Sequence, residues 1–152
     1  MFRILFVCHG NICRSPMAEF VMKQKVEQLG LSAQFEIASA ATSREEIGNP
    51  VYPPVRRLLG SLGISCAGKY ARQMDAGDYR KYDLLIGMDI GNIRGMKRIC
   101  GGDPENKMYR LMSFAGEERD VADPWYSGDF ETAYADILAG VSALLESRAA
   151  AR

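Results

Sequence analysis

The residues best suited to chemistry lie in one short segment, Cys8-His9-Gly10-Asn11-Ile12-Cys13-Arg14-Ser15. Backbone N–H groups of a loop that turns into a helix converge on one point, and the helix dipole favours negative charge there. Gly10 permits the turn, and Arg14 can hold two oxygens of a phosphate at once. The same field favours the thiolate form of Cys8. The segment therefore predicts a phosphate-binding loop with a thiolate nucleophile at its centre.

The spacing of Cys8 and Arg14 is not specific by itself, because cysteine and arginine occur six residues apart by chance in many chains. In the alternative interpretation, Cys8 is a small buried hydrophobic residue and Arg14 is an ordinary surface residue of a helix. The flanking sequence favours the loop. An apolar run at residues 2–7 is typical of a strand buried on both faces, and Ser15-Pro16 begins a helix with proline at its first position.

A second segment offers the proton donor that transfer of a phosphoryl group to a thiol requires. Asp123 precedes Pro124, which biases the aspartate toward an extended backbone that projects its side chain. An Asp-Pro pair alone is more often a turn. Trp125 and Tyr126 follow, and we predict that these aromatic residues form a wall of the pocket rather than ordinary packing.

The elements that must position these segments alternate between strands and helices, which predicts an α/β layer sandwich with a mostly parallel sheet. In such folds ligands bind beyond the carboxyl ends of strands, where the strand order reverses. Apolar runs predict strands at 2–7, 35–40, 82–88 and 107–114 and a short one at 70–73, whereas helical spacing predicts helices at 15–29, 55–62, 90–98 and 130–145.

Composition limits the number of domains and the classes of partner that the chain can have. A chain of 152 residues is expected to form a single domain, residues 1–152. Its 19 basic and 19 acidic residues form no long block, so neither nucleic acid nor a membrane is an expected partner. Four cysteines are too few for a disulfide scaffold, and no signal segment or membrane span is visible. We therefore expect a cytoplasmic protein.

These motifs resemble the low-molecular-weight protein tyrosine phosphatases along the whole chain. The resemblance rests on residues 7–16 and on Asp123-Pro124-Trp125-Tyr126, with further landmarks at 39–41, 48–50, 71–73 and 88–89. It implies a three-layer sandwich in which helices flank a four-stranded parallel sheet, with the phosphate-binding loop after the first strand. It also implies hydrolysis of phosphotyrosine in proteins and peptides, and of aryl phosphates, with inorganic phosphate as product and no metal or other cofactor.

The resemblance also implies roles in the reaction. Cys8 attacks phosphorus and forms a phosphocysteine intermediate. Arg14 and the backbone amides from His9 onward, including Gly10 and Ile12, bind the phosphoryl oxygens. Asp123 protonates the leaving phenolate and then activates the water that hydrolyses the intermediate.

Other residues are implied to support the loop. Ser15 donates a hydrogen bond to the Cys8 thiolate, and Asn11 holds the loop in a strained shape with help from Ser39. Cys13 matches a second loop cysteine that captures Cys8 as a reversible disulfide under oxidation.

The sequence departs from the family pattern at the pocket wall and below the loop. Glu45 stands where many members have a tryptophan, and a carboxylate there repels acidic phosphopeptides. Gly68-Lys69-Tyr70 stands where a histidine commonly supports the loop asparagine, so the support of Asn11 is expected to differ. His9 is expected to face solvent and contribute its backbone N–H, with a charged group at the pocket rim as the alternative.

Three alternatives remain at this point. A thioredoxin-coupled arsenate reductase shares the loop but needs more cysteines, and none lies between Ala67 and Ile99. A protein-arginine phosphatase carries a threonine where this chain has Ile12, although Glu45 suits a cationic substrate. A non-catalytic phosphate-binding module needs neither Arg14 nor Asp123, and both are present.

Overall fold

The apolar run at the start of the chain forms the central strand of a four-stranded sheet. In this computed structural model, which describes residues 1–150 and the side chains through Arg148, the strand order is β2-β1-β3-β4 and every pairing is parallel. The strands are β1 (Phe2–Cys8), β2 (Phe35–Ala41), β3 (Leu84–Gly87) and β4 (Met108–Arg110). Strand order reverses at β1, so the loop after β1 lies at the switch point where ligands bind.

Helices cover both faces of the sheet, which confirms the expected three-layer α/β sandwich. Short 3₁₀ turns occur at Ser32–Gln34 and Leu111–Ala115. Among the described residues no helix is long and apolar enough to cross a membrane. The helices are α1 (Arg14–Gln28), α2 (Pro53–Ser61), α3 (Gly77–Lys81), α4 (Ile90–Cys100), α5 (Pro124–Ser127) and α6 (Phe130–Ala150).

The core has two parts because successive side chains of β1 point to opposite faces of the sheet. Ile4, Phe6 and Cys8 lie in the part that contains α1, α2 and α6. Leu5 and Val7 lie in the part that contains α4. Residues 4–7 are fully buried, as expected for a central parallel strand. Cys8 therefore leaves the sheet on the face that carries α1.

Two predicted strands are wrong in extent. The strand predicted at 107–114 ends at Arg110, because the chain then turns into a 3₁₀ segment that seats Leu111 against Gly140 of α6. The strand predicted at 70–73 is reduced to two isolated bridges. Tyr70 pairs with Pro50, and Gln73 pairs with Ala41. The two bridges lie on different partner segments, so no continuous ladder forms.

Candidate active site

The segment between β1 and α1 forms a loop that ends at an open helix N-terminus. Cys13 occupies the N-cap position of α1 without a capping side chain, and no acidic residue lies in the first turn. The first N–H groups of a helix need partners, and a helix of 15 residues has a positive N-terminal end. This arrangement leaves a seat for an anion such as phosphate.

The Cys8 thiol lies inside this loop. It is buried, 2.9 Å from the Ser15 hydroxyl and 3.3 Å from the backbone nitrogen of Asn11, which donates to the sulfur. The carbonyl of Cys8 accepts a hydrogen bond from the backbone N–H of Thr42, just after β2. Hydrogen bonds therefore hold both the backbone carbonyl and the sulfur of Cys8.

Asn11 holds the loop in its shape. Its φ angle of 61° lies in the left-handed region, which is costly for a residue other than glycine unless its surroundings enforce it. Its side-chain amide donates to the Ser15 and Ser39 hydroxyls, each at 2.9 Å, and its carbonyl accepts the backbone N–H of Arg72 at 3.2 Å. Ser39 and Ser15 therefore both hold the Asn11 side chain by hydrogen bonds.

Below Ser39 lies an ion pair that sequence reasoning missed. The Ser39 hydroxyl donates to the buried carboxylate of Glu19 at 2.5 Å. The Lys69 ammonium donates to the Ser39 carbonyl at 2.9 Å and lies 3.7 Å from Glu19. Burial lowers the pKa of Lys69, against the opposing effect of Glu19. Lys69 thus stands under the loop in the region where the family commonly has a histidine.

The hydrogen-bond directions in this network are fixed by Glu19. An ionised carboxylate only accepts, so Ser39 must donate to it and therefore accepts from Asn11. Asn11 also donates to Ser15, which leaves the Ser15 proton free for Cys8. The Ser15 hydroxyl is therefore placed to donate to the Cys8 sulfur.

Arg14 lies at the start of α1 with its side chain only 6% exposed. Its guanidinium donates to Asp89 at 2.7 Å and to the carbonyl of Val121 at 3.0 Å. The sequence marks Asp89 only as a family landmark, and the structure shows that it fixes Arg14. With two contacts anchoring one edge of the guanidinium, the arginine is held rigidly beside the anion seat.

Asp123 lies near the same guanidinium nitrogen of Arg14 that contacts Asp89. Its Oδ2 atom is 3.5 Å from the guanidinium, and its Oδ1 atom accepts the backbone N–H of Trp125 at 3.1 Å as the N-cap of α5. About a third of the side chain is exposed, so solvent reaches it. Asp123 therefore caps α5 with one carboxylate oxygen and presents the other to Arg14 at the loop.

The walls of the pocket combine aromatic and acidic side chains. Trp125 and Tyr126 are exposed at its mouth, and the Trp125 ring packs on Tyr52 with 5.1 Å between ring centroids. Glu45 also lines the pocket, and its carboxylate forms a hydrogen bond with the His9 ring at 3.0 Å. The His9 side chain is exposed, as expected, but Glu45 engages it. Tyr52, which the sequence does not single out, supports the aromatic wall.

The structure brings the predicted residues together around one cavity of about 550 Å³. Asn11, Ser15 and Ser39 lie buried beneath it. Burial, with a smaller contribution from Cys8, raises the pKa of Cys13 to about 12. The predicted residues that line the cavity are Cys8, His9, Gly10, Ile12, Cys13, Arg14, Glu45, Asp123, Trp125 and Tyr126.

This fold and site define a cysteine-dependent phosphatase, in which a thiol lies at the floor of an anion-binding loop. The family model for low molecular weight phosphotyrosine protein phosphatase matches residues 3–151. The chain belongs to this family, and its members are phosphoric monoester hydrolases.

Individual relatives agree with this assignment. The chain is 36% identical over 149 residues to the low molecular weight protein-tyrosine-phosphatase YfkJ of Bacillus subtilis, covering 97% of this chain and 96% of that protein. The YfkJ crystal structure matches with a TM-score of 0.93 over 97% of this chain and 94% of that one. A Drosophila arginine phosphatase structure is 28% identical, with a TM-score of 0.85 over 95% and 96% of the two chains.

Proposed function

We propose that this chain hydrolyses phosphotyrosine in proteins through a phosphocysteine intermediate on Cys8. One observation carries the proposal: the Cys8 thiol, the uncapped start of α1 and the Arg14 guanidinium surround one seat, with Asp123 beside it. A tetrahedral dianion fits that seat because it meets backbone donors and a bidentate cation together.

In the first step the Cys8 thiolate attacks phosphorus in line with the leaving oxygen. The sulfur–phosphorus bond forms as the phosphorus–oxygen bond breaks, and Asp123 transfers its proton to the phenolate oxygen. Arg14 and the loop amides stabilise the charge on the three equatorial oxygens. Ser15 stabilises the Cys8 thiolate in the free enzyme, and again when the thiolate leaves phosphorus in the second step.

In the second step Asp123 acts as a base. It removes a proton from water, whose oxygen attacks phosphorus while the sulfur–phosphorus bond breaks. Inorganic phosphate leaves, the Cys8 thiolate is restored, and the proton on Asp123 is ready for the next phenolate. The exposed face of Asp123 gives water access to this position.

The aromatic wall supports phosphotyrosine as the substrate. A tyrosine ring that follows its phosphate into the pocket meets Trp125, which Tyr52 holds in place. Phosphoarginine is the second candidate, because the carboxylates of Glu45 and Glu46 line the pocket and attract a guanidinium. Neither Cys66 nor Cys100 lines the pocket, so they provide no relay of thiols of the kind that an arsenate reductase uses.

Redox control of the same site is part of the proposal. Cys8 and Cys13 are both free and buried within one loop. Peroxide converts the Cys8 thiolate to a sulfenic acid, and attack by Cys13 on that sulfur releases water and forms a disulfide. Mass mapping after peroxide treatment is expected to find this pair, reversible by dithiothreitol. A bond to Cys66 instead would overturn this part of the proposal.

Substitutions in the loop test the mechanism. Cys8→Ser is expected to abolish turnover of a phosphotyrosine peptide, while Cys66→Ser, the matched buried cysteine away from the pocket, retains it. Arg14→Lys is expected to remove nearly all turnover, because an ammonium cannot reproduce the planar fork. Turnover that survives Cys8→Ser would contradict the phosphocysteine intermediate.

A leaving-group series tests Asp123 separately. Asp123→Asn is expected to slow phosphotyrosine hydrolysis by about 10²- to 10⁴-fold, the usual contribution of a general acid. An activated aryl phosphate, whose leaving group needs no proton, is expected to lose much less. Equal losses for both substrates would remove Asp123 as the acid.

A further inference from the structure

A second groove leaves the active-site pocket and runs between the segment after β2 and helix α4. The pocket and this groove are continuous, because they share four lining residues: His9, Thr42, Glu45 and Gly91. The hydrogen-bonded pair of His9 and Glu45 stands at the border between them. A peptide whose phosphotyrosine enters the pocket can therefore extend along the groove.

The groove exists because α4 presents glycines where it faces the segment after β2. Gly91 and Gly95 are one turn apart on the same helix face. A Cβ atom on Gly95 would lie 2.9 Å from the Thr42 side chain, so the two segments approach too closely for any larger residue. Gln73 fixes the floor by donating to the Thr42 carbonyl at 3.0 Å. The floor of the groove is thus rigid and is built from small side chains.

Each side of the groove carries one arginine. Arg44 lies on one side and Arg98, three residues beyond Gly95, on the other, and both are exposed. Neither forms an ion pair within the described part of the chain, whereas Arg72 and Arg119 are both paired with aspartates. Two guanidinium groups flanking a groove suit the oxygens of a phosphate or carboxylate.

We propose that this groove binds a second anionic side chain of the substrate, so that the preferred substrate carries a phosphate or carboxylate near the phosphotyrosine. The inference rests on the proposed function. Glu45, at the border between pocket and groove, and Glu46 in the pocket oppose an anion directly beside the phosphotyrosine. In an extended peptide, alternate residues share a face at about 3.4 Å per residue, which places the anion two or more residues away.

Matched peptides test the proposal. Each peptide has one phosphotyrosine and carries alanine, glutamate or phosphoserine at a single position two to four residues to either side. The phosphoserine peptide is expected to show a KM about tenfold below that of the alanine peptide at low salt, since two exposed charge-assisted contacts each contribute a few-fold. Added salt is expected to remove this gain. An equal gain with glutamate identifies a carboxylate as a sufficient ligand and also supports the groove.

Variants connect the gain to the groove. The double variant Arg44→Gln with Arg98→Gln is expected to raise the KM of the phosphoserine peptide to that of the alanine peptide, with kcat unchanged. Arg57→Gln is the matched control and is expected to keep the gain, because Arg57 is an exposed arginine of α2 that forms no ion pair within the described residues. Equal KM values for all peptides, or a gain that survives the double variant, would overturn the proposal.

Failure of the groove and failure of the proposed function give different results. All arginine variants are expected to hydrolyse para-nitrophenyl phosphate at the wild-type rate, because that substrate does not reach the groove. If wild-type protein hydrolyses no phosphotyrosine peptide, the proposed function fails. If it hydrolyses them all without regard to the second anion, only the groove proposal fails.

Discussion

Asp89 offers a sharp test of how the site positions its arginine, because its two carboxylate oxygens have different partners. Oδ2 accepts from the Arg14 guanidinium at 2.7 Å, and Oδ1 accepts the backbone N–H of Asn92 at 2.8 Å as the N-cap of α4. Asparagine has only one side-chain oxygen. In Asp89→Asn, therefore, one partner must lose its acceptor and face an N–H donor instead.

We expect the asparagine of this variant to keep the cap of α4 and to lose the contact with Arg14. Asparagine caps helices as well as aspartate does, and Asn92 completes the capping box by accepting from the Asp89 backbone. Arg14 then loses its anchor. A hydrogen bond to a charged group contributes about 1.5–3 kcal/mol, and partial exposure of Asp89 selects the lower end. With about 1.4 kcal/mol for each factor of ten, kcat/KM should fall about 10- to 30-fold.

The assay combines kcat/KM for a phosphotyrosine peptide with thermal unfolding. Asp89→Asn is expected to lose activity with little change in Tm, whereas Asp89→Ala also loses the cap and about 1 kcal/mol of unfolding free energy. Asp120→Asn is the matched control, because Asp120 accepts the Ile90 N–H at the same helix start without touching Arg14. Wild-type kcat/KM in both Asp89 variants would refute the reasoning.

Two further predictions concern packing and thiol reactivity. Gly140→Ala would place a Cβ atom 2.5 Å from Leu111 Cγ, so a loss of about 1–3 kcal/mol of unfolding free energy is expected, while Gly60→Ala, with nothing within 4 Å, should gain up to about 1 kcal/mol. Thermal melts that move both variants in the same direction would contradict this. Because burial raises the pKa of Cys13 to about 12, that thiol is neutral at pH 8 and its thiolate appears only as pH rises toward 12. Iodoacetamide at pH 8 should modify Cys8 and spare Cys13 by mass spectrometry, and faster labelling of Cys13 would disprove its burial.

The loop and its two neighbouring elements were predictable because each depends on local sequence. The apolar run before Cys8 and the helix signal around Pro16 place the thiol and Arg14 without any information from distant residues. The predicted first position of the proline is wrong, because Cys13 occupies the N-cap position of α1 and the helix begins at Arg14, which makes Pro16 its third residue. The aspartate of the Asp123-Pro124 pair also reaches the pocket as predicted. Local rules were enough for Cys8 and Arg14 because both lie in the segment that follows one strand.

The supporting contacts could not be predicted, because they join residues far apart in the chain. Glu19 reads in the sequence as an ordinary polar residue of α1, and only the fold brings Lys69 and Ser39 to it. A buried carboxylate inside a predicted helix has no local signature. The end of β4 also depends on tertiary packing, since the close approach of Leu111 to α6 decides it.

The most direct test of the account is steady-state hydrolysis of matched phosphotyrosine, phosphoserine and phosphoarginine peptides by the wild-type chain, with Cys8→Ser as the blank. We expect phosphotyrosine to exceed both others in kcat/KM by orders of magnitude, because the ring packs on the Trp125 wall and the phosphate reaches Cys8 at the loop floor. A higher kcat/KM for phosphoarginine would contradict the assigned substrate and point to Glu45 as the residue that selects it.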